Sequence, residues 1–178
     1  MALDRTWYNA LVDDDGTDTV GTVWGKDDIK NLLDSIDAAL LPLTGMTFGA
    51  WTPILTGAGG GSGNAYGTQF GLWQRNGHFV HAYAYIHLTT KGTMTGAIQI
   101  AGLPYPQTPG NAYASAVLWA SGLATLWSSL VGVLNPASTA IGLQGVKDTQ
   151  GNGNNVALTA ADLAVNSAFM VNVCYYAD

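Results

Sequence analysis

The sequence has no glutamate, a single cysteine and few charged residues of either sign. Only 10% of the 178 residues are charged, and all twelve acidic residues are aspartates. The six lysines and arginines form no cluster, so the chain lacks the positive surface that nucleic-acid binding requires. Cys174 has no second cysteine with which to form an internal disulfide. This composition argues against a nucleic-acid partner and against a fold held together by disulfides.

Carboxylates are also missing from the middle of the chain. Nine of the twelve aspartates lie at or before Asp37, residues 38–147 contain none, and the others are Asp148, Asp162 and Asp178. Glycoside hydrolysis uses a pair of carboxylates beside the scissile bond, and the sequence also lacks the G-x-S-x-G nucleophile elbow of many hydrolases. We therefore expect a protein that is not an enzyme and that has no catalytic residues, no cofactor and no metal site.

Membrane insertion and secretion are not predicted. The first residues lack the basic and apolar regions of a secretory signal peptide, so we expect none. Residues 116–134 are uncharged and approach the length of a membrane span. They are interrupted by small and polar residues, and two buried strands joined by a turn at Ser121-Gly122 are the favoured interpretation.

An amphipathic helix is predicted over residues 27–40. Its apolar residues recur at helical spacing on one face, and they are Ile29, Leu32, Leu33, Ile36 and Leu40. Asp27 and Asp28 favour a helix start, and Pro42 and Gly45 predict its end. One such helix cannot bury its apolar stripe alone, so it is expected to pack on its own β domain or on copies of itself.

After residue 45 the sequence changes to short apolar stretches separated by glycine-containing turns. Strands are predicted near residues 51–55, 68–75, 78–90, 96–101, 113–120, 123–133, 140–145 and 166–176. The dipeptide Asn76-Gly77 predicts a hairpin turn. Cys174 lies in the apolar pattern of the last strand, so we expect a buried core thiol. The pattern favours a mainly β chain, with an antiparallel β-sandwich or jelly-roll-like domain.

Two parts of the chain are therefore predicted. Residues 1–45 form an N-terminal anchor segment, in which Trp7, Trp24 and the helix stripe are the candidate assembly residues. Residues 46–178 form the β-rich domain.

The predicted strand 78–90 has two chemically different faces. One carries Val80, Ala82, Ala84, Ile86 and Leu88 and is a core face, whereas the other carries Phe79, His81, Tyr83, Tyr85 and His87. Aromatic rings with polar tips suit a subunit interface, and they equally suit stacking on sugars, so both interpretations stay open. His81 and His87 stand about 20 Å apart on a strand and cannot share one metal ion within a chain.

Two stretches of the sequence resemble phage structural proteins. The first runs from Thr6 to Gly16 (TWYNALVDDDG), continues through Val20 to Trp24 (VGTVW), and enters the predicted helix. It resembles the N-terminal segments of structural proteins of tailed bacteriophages and related particles. The second stretch comprises Trp51-Thr52-Pro53, 66–71 (YGTQFG), Asn76-Gly77, 88–96 (LTTKGTMTG) and 100–104 (IAGLP). It resembles the β-rich terminal domains of phage tail fibres, head fibres and spikes.

This resemblance implies a protein of the virion surface, commonly a homotrimer. Residues 1–45 would attach to another virion protein, and the outward-facing β domain would contact host surface polysaccharide. The sequence departs from many fibres because it has no long shaft and no collagen-like repeat, which favours a short spike or a capsid decoration protein over a long fibre. A capsid decoration or cement protein is the alternative, and a capsule depolymerase is a third hypothesis disfavoured by the missing carboxylates.

Overall fold

The computed structural model describes residues 26–148 and 153–178. The chain divides into two compact units, Met1–Met46 and Thr47–Asp178. The predicted assembly residues Trp7 and Trp24 lie outside the described residues.

The first unit contains one described helix, α1, which spans Lys26–Thr44. Within the apolar stripe, Leu32, Ile36 and Leu40 are 38–46% exposed. α1 is longer than predicted. The helix continues through Pro42 and ends at Thr44, before Gly45. A proline in the last turn removes only one helical hydrogen bond, so the turn is still completed. Among the described helices, none combines the length and apolar character needed to cross a membrane.

The second unit is built on an antiparallel sheet, and the predicted mainly β, sandwich-like or jelly-roll-like class is confirmed. The strands that the structure describes are β1 (Met46–Trp51), β2 (Ile54–Gly57), β3 (Asn64–Asn76), β4 (Phe79–Lys91), β5 (Ile98–Ala101), β6 (Ala114–Leu123), β7 (Trp127–Leu134), β8 (Ala140–Lys147), β9 (Val156–Ala157) and β10 (Leu163–Tyr176). Their order across the sheet is β1-β3-β4-β10-β6-β7-β8-β5-β2, and β9 pairs with β8. A short 3-10 helix, Ala160–Asp162, precedes β10.

The sheet curls because its two end strands are consecutive in the chain. β1 and β2 lie at opposite ends of the strand order, yet only Thr52 and Pro53 separate them. Three Cα–Cα steps span at most about 11 Å, so the two edges of the sheet must approach each other. The single strand predicted over residues 51–55 is therefore wrong. Pro53 cannot donate to a strand ladder, and the chain crosses there from one edge to the other.

Side chains of β3 bind the backbone of β2 and of Pro53, which precedes it, and so join the two edges. The Tyr66 hydroxyl accepts the Leu55 N–H at 3.0 Å, and Asn64 Nδ2 donates to the Leu55 carbonyl at 2.9 Å. Gln69 Nε2 donates to the Pro53 carbonyl at 2.8 Å. Burial raises the pKa of Tyr66, although its hydrogen bonds partly oppose this effect. These bonds satisfy backbone groups of the edge strand and of the residue before it, which the ladder leaves unpaired.

The core lies inside the curl. The predicted core face of β4 is confirmed, since its five residues are at most 1% exposed. They pack with the inward residues of the opposite strands, which include Leu55, Ile98, Ile100, Ile141, Leu143, Phe169, Val171, Val173 and Tyr175. Burying one large aliphatic side chain stabilises a fold by about 1.5–3 kcal/mol, so this core is the main source of stability.

The predicted hairpin between β3 and β4 is confirmed. Asn76 pairs with Phe79, so the loop consists of Gly77 and His78. Gly77 has a φ of 59°, which favours glycine at the first position of a tight hairpin turn. The register places Leu72 opposite Tyr83.

The turn predicted at Ser121-Gly122 is wrong. β6 continues to Leu123, and the turn to β7 lies at residues 124–126. Gly122, with a φ of 65°, instead faces an irregularity where β10 shifts register between Leu163 and Ala168. The buried Ser167 hydroxyl donates to the Gly122 carbonyl at 2.8 Å and stabilises this bulge. A Ser-Gly pair therefore marks a bulge here.

Candidate functional site

An uncharged surface extends across β3, β4, β10 and β6 on the side of the sheet away from the core. Residues opposite each other in an antiparallel pair share a face, so the strand registers assign its members. This outer face comprises Thr68, Phe70, Leu72, Gln74, Asn76, Phe79, His81, Tyr83, Tyr85, His87, Ala168, Met170, Asn172, Cys174, Tyr176, Val117, Trp119 and Ser121. The five residues predicted on one face of β4 are all among them.

The aromatic rings of the outer face contact one another across strands. Phe70 and Tyr83 meet edge to face with ring centroids 6.4 Å apart, and Phe79 and Tyr176 do so at 5.9 Å. Phe79 is 44% exposed, and the other four predicted residues of β4 are half-buried. Such pairs contribute about 0.5–1.5 kcal/mol beyond simple burial, so the rings have defined positions.

A cavity of about 510 Å³ opens beside β1 at one end of the outer face. It is lined by Phe48, Gly49, Ala50, Leu72, Trp73, Gln74, His81 and Tyr83. Its volume falls within the range of small-molecule sites, and its apolar walls carry a few polar groups from Gln74, His81 and Tyr83. Of the eight lining residues, only His81 and Tyr83 were predicted from the sequence. The hairpin signal could have identified Leu72 and Gln74 as well, because its register places them opposite Tyr83 and His81.

Trp51 supports the cavity from the core side. Its Nε1 donates to the Leu72 carbonyl at 3.2 Å and to the Tyr83 carbonyl at 3.0 Å. Gly71 provides the space, since a Cβ atom there would lie 2.6 Å from Trp51 Nε1. One buried indole therefore holds the backbones of two cavity-lining residues.

Cys174 lies on the outer face, so the predicted core thiol is wrong. Alternation along β10 directs Val173 and Tyr175 into the core and leaves Cys174 exposed between them. Cys174 pairs with His81 of β4, and His81 Nε2 forms a hydrogen bond with Asn172 Oδ1. The thiol is therefore a chemically accessible marker of this face.

The buried carboxylate of Asp162 serves the fold on another part of the domain. Its Oδ1 pairs with Lys147 Nζ at 2.7 Å, and Thr159 donates its N–H and hydroxyl to Oδ2 at 2.9 and 2.8 Å. Burial opposes ionisation of Asp162, but Lys147 and Thr159 outweigh it and lower the pKa to about 2. Asp148 is exposed and accepts a hydrogen bond from Ser128.

In residues 26–148 and 153–178, no cluster of three or more histidine, cysteine or acidic residues is placed to hold a metal.

Comparison with known proteins supports the fold assignment. No family model matches the chain, and no curated protein sequence matches it. Among solved structures, the chain is similar to the crystal structure of Dettilon tailspike protein, with a TM-score of 0.60 and 18% sequence identity. The match covers 75% of this chain and 24% of the tailspike, so the chain spans about a quarter of that protein's length. The resemblance to phage surface proteins is thus supported at the level of the fold.

Proposed function

We propose that this chain is a surface structural protein of a phage virion, a short spike or fibre that attaches the particle to glycans of the host. The observation that carries the proposal is the apolar cavity with polar tips on the outer face of a tailspike-like fold. Sugar rings present apolar C–H faces as well as hydroxyls. A site for them needs flat apolar walls and a few hydrogen-bonding groups.

The chemistry of the cavity favours a neutral saccharide. Phe48 and Leu72 supply apolar surface, while the Gln74 amide both donates and accepts hydrogen bonds. None of the residues that line the cavity is charged. An acidic sugar would lose hydration of its carboxylate without gaining a cation, at a cost of several kcal/mol. The lining contains no pair of carboxylates, which favours binding without hydrolysis.

Assembly and anchoring form the second part of the proposal. Leu32, Ile36 and Leu40 leave an apolar stripe of α1 partly exposed within the first unit. We propose that residues 1–45 attach the protein to another virion component and that the chain forms a homotrimer, the state that the phage resemblance implies. A closed cyclic assembly would present several cavities together, and multiple weak sites strengthen attachment to a repeating polysaccharide.

Binding to chemically treated host cells tests the attachment role. Periodate cleaves vicinal diols of sugars, whereas protease removes surface proteins. We expect fluorescently labelled protein to bind untreated and protease-treated cells and to lose binding after periodate treatment. Binding that survives periodate and disappears after protease treatment would identify a protein receptor and contradict the glycan proposal.

A further inference from the structure

We infer that the outer face on β10 and β6 is covered by a second copy of this chain. The surface concerned, named here the β10–β6 patch, consists of Val117, Trp119, Met170, Asn172, Cys174 and Tyr176. In the strand order the patch lies on one side of β4, and β3 and β1 lie on the other side. β3 and β1 contribute six of the eight residues that line the cavity, so the patch and the cavity are separate surfaces. The inference rests on the proposed self-assembly and assigns it a surface.

The patch exposes large apolar side chains on the same face of β6 and β10. Val117 is 78% exposed, Tyr176 60% and Trp119 48%. Trp119 pairs with Met170 across the β6–β10 ladder, and Val117 pairs with Asn172. Single exposed apolar residues are common on monomers, but a contiguous group of them marks a surface that a partner covers.

The dimensions of the patch and its surroundings suit a protein partner. Strands lie about 4.8 Å apart and rise about 3.4 Å per residue, so β10, β6 and β7 present roughly 400 Å² over eight residues. A standard protein interface buries about 800 Å² on each partner, and this area supplies about half of it without covering the cavity. A saccharide, in contrast, occupies a cavity of the size found beside β1.

The charge distribution favours a copy of the same chain. The patch contains no charged residue, although the chain carries a net charge of −6, and nine aspartates lie at or before Asp37. Neighbouring copies in a closed ring can therefore bury this patch against one another without like charges facing each other. Asn172 already bonds His81 within the chain, so covering it leaves this amide oxygen satisfied. A charged partner would find nothing here to recognise.

Cys174 provides a direct test, because it is the only cysteine in the chain and lies in the patch. We compare the wild type with Val117→Asp and with the matched control Leu126→Asp, which is 76% exposed in the turn after β6. Native mass is measured by light scattering, and thiol accessibility by the rate of reaction with a maleimide. The wild type and Leu126→Asp should have a multiple of the 18.5 kDa chain mass and a slowly reacting thiol. Val117→Asp should fall to the mass of one chain, with its thiol reacting about tenfold faster or more.

Three results would overturn the inference. A wild type of 18.5 kDa with a reactive thiol would show that the patch is free and would favour a decoration protein that meets it on a capsid. An oligomer unaffected by Val117→Asp and with a reactive thiol would place the interface elsewhere. A monomer with a shielded thiol would show that another part of the same chain covers the patch. If Val117→Asp does not fold, Tyr176→Ser, on a 60% exposed residue, makes the same test. Glycan binding to cells is measured in a separate experiment. Failure of the proposed subunit interface can therefore be distinguished from failure of the proposed glycan attachment.

Discussion

Replacing Gly71 with alanine is expected to lower the unfolding midpoint by about 10 °C and to weaken glycan binding with it. The new methyl group would lie 2.6–2.8 Å from three atoms of the Trp51 indole, which is 9% exposed and cannot easily move. Displacing the indole breaks its hydrogen bonds to the Leu72 and Tyr83 carbonyls and leaves a donor without a partner. Overpacking and a lost buried hydrogen bond each cost about 1–3 kcal/mol.

Gly142→Ala is the matched control for this substitution. Gly142 also lies within a strand, but a Cβ atom there meets only the Val133 carbonyl at 3.6 Å, an ordinary contact distance. Both variants are melted at the same chain concentration, because assembly adds to apparent stability. Equal midpoints for Gly71→Ala and the wild type would contradict the role of Trp51 as a support for the cavity.

Asp162→Asn is expected to cost about 2 kcal/mol at neutral pH, a cost that vanishes in acid. The pKa of Asp162 is lowered to about 2, because Lys147 and Thr159 outweigh the opposing effect of burial. A carboxylate with a lowered pKa stabilises the fold above its unfolded pKa of about 4, and this contribution is lost as the pH falls toward 2. The wild type and the variant should therefore converge between pH 4 and pH 2.

Urea denaturation at several pH values measures this difference. Asp148→Asn is the control, because Asp148 is exposed and its loss should change stability by less than about 0.5 kcal/mol. A difference between the wild type and Asp162→Asn that stays constant from pH 7 to pH 2 would show that ionisation of this carboxylate does not stabilise the fold.

Local patterns in the sequence predicted the elements that depend on neighbours in the chain. The alternation of β4 identified both of its faces, and Asn76-Gly77 located the hairpin. Helical periodicity found α1 but not its length. In each case the signal lies within a few residues, where side-chain period and turn geometry act directly.

Features that depend on distant contacts were not predictable in this way. The strand predicted over residues 51–55 is divided at Pro53, because its two halves belong to opposite edges of a curled sheet. No local sequence pattern indicates that these edges approach each other. Gly122 serves a bulge that arises because β10 has three more residues than β6 between their two flanking pairs, Leu163–Leu123 and Ala168–Ser121. The exposure of Cys174 follows from the alternation of side chains along β10. It was predicted to be buried because the residues around it are apolar. Phe48 joins the cavity only through the position of β1 in the sheet.

Equilibrium binding to polysaccharide extracted from the host surface tests the proposed attachment most directly. The comparison uses the wild type, Phe48→Ala and the control Tyr113→Ala; Phe48 is 82% exposed in the cavity wall, and Tyr113 is 67% exposed and does not line the cavity. We predict that the wild type and Tyr113→Ala bind alike and that Phe48→Ala binds about fivefold more weakly or worse, as loss of one aromatic contact of about 1 kcal/mol requires. No binding by the wild type, or equal binding by Phe48→Ala, would contradict attachment through this cavity.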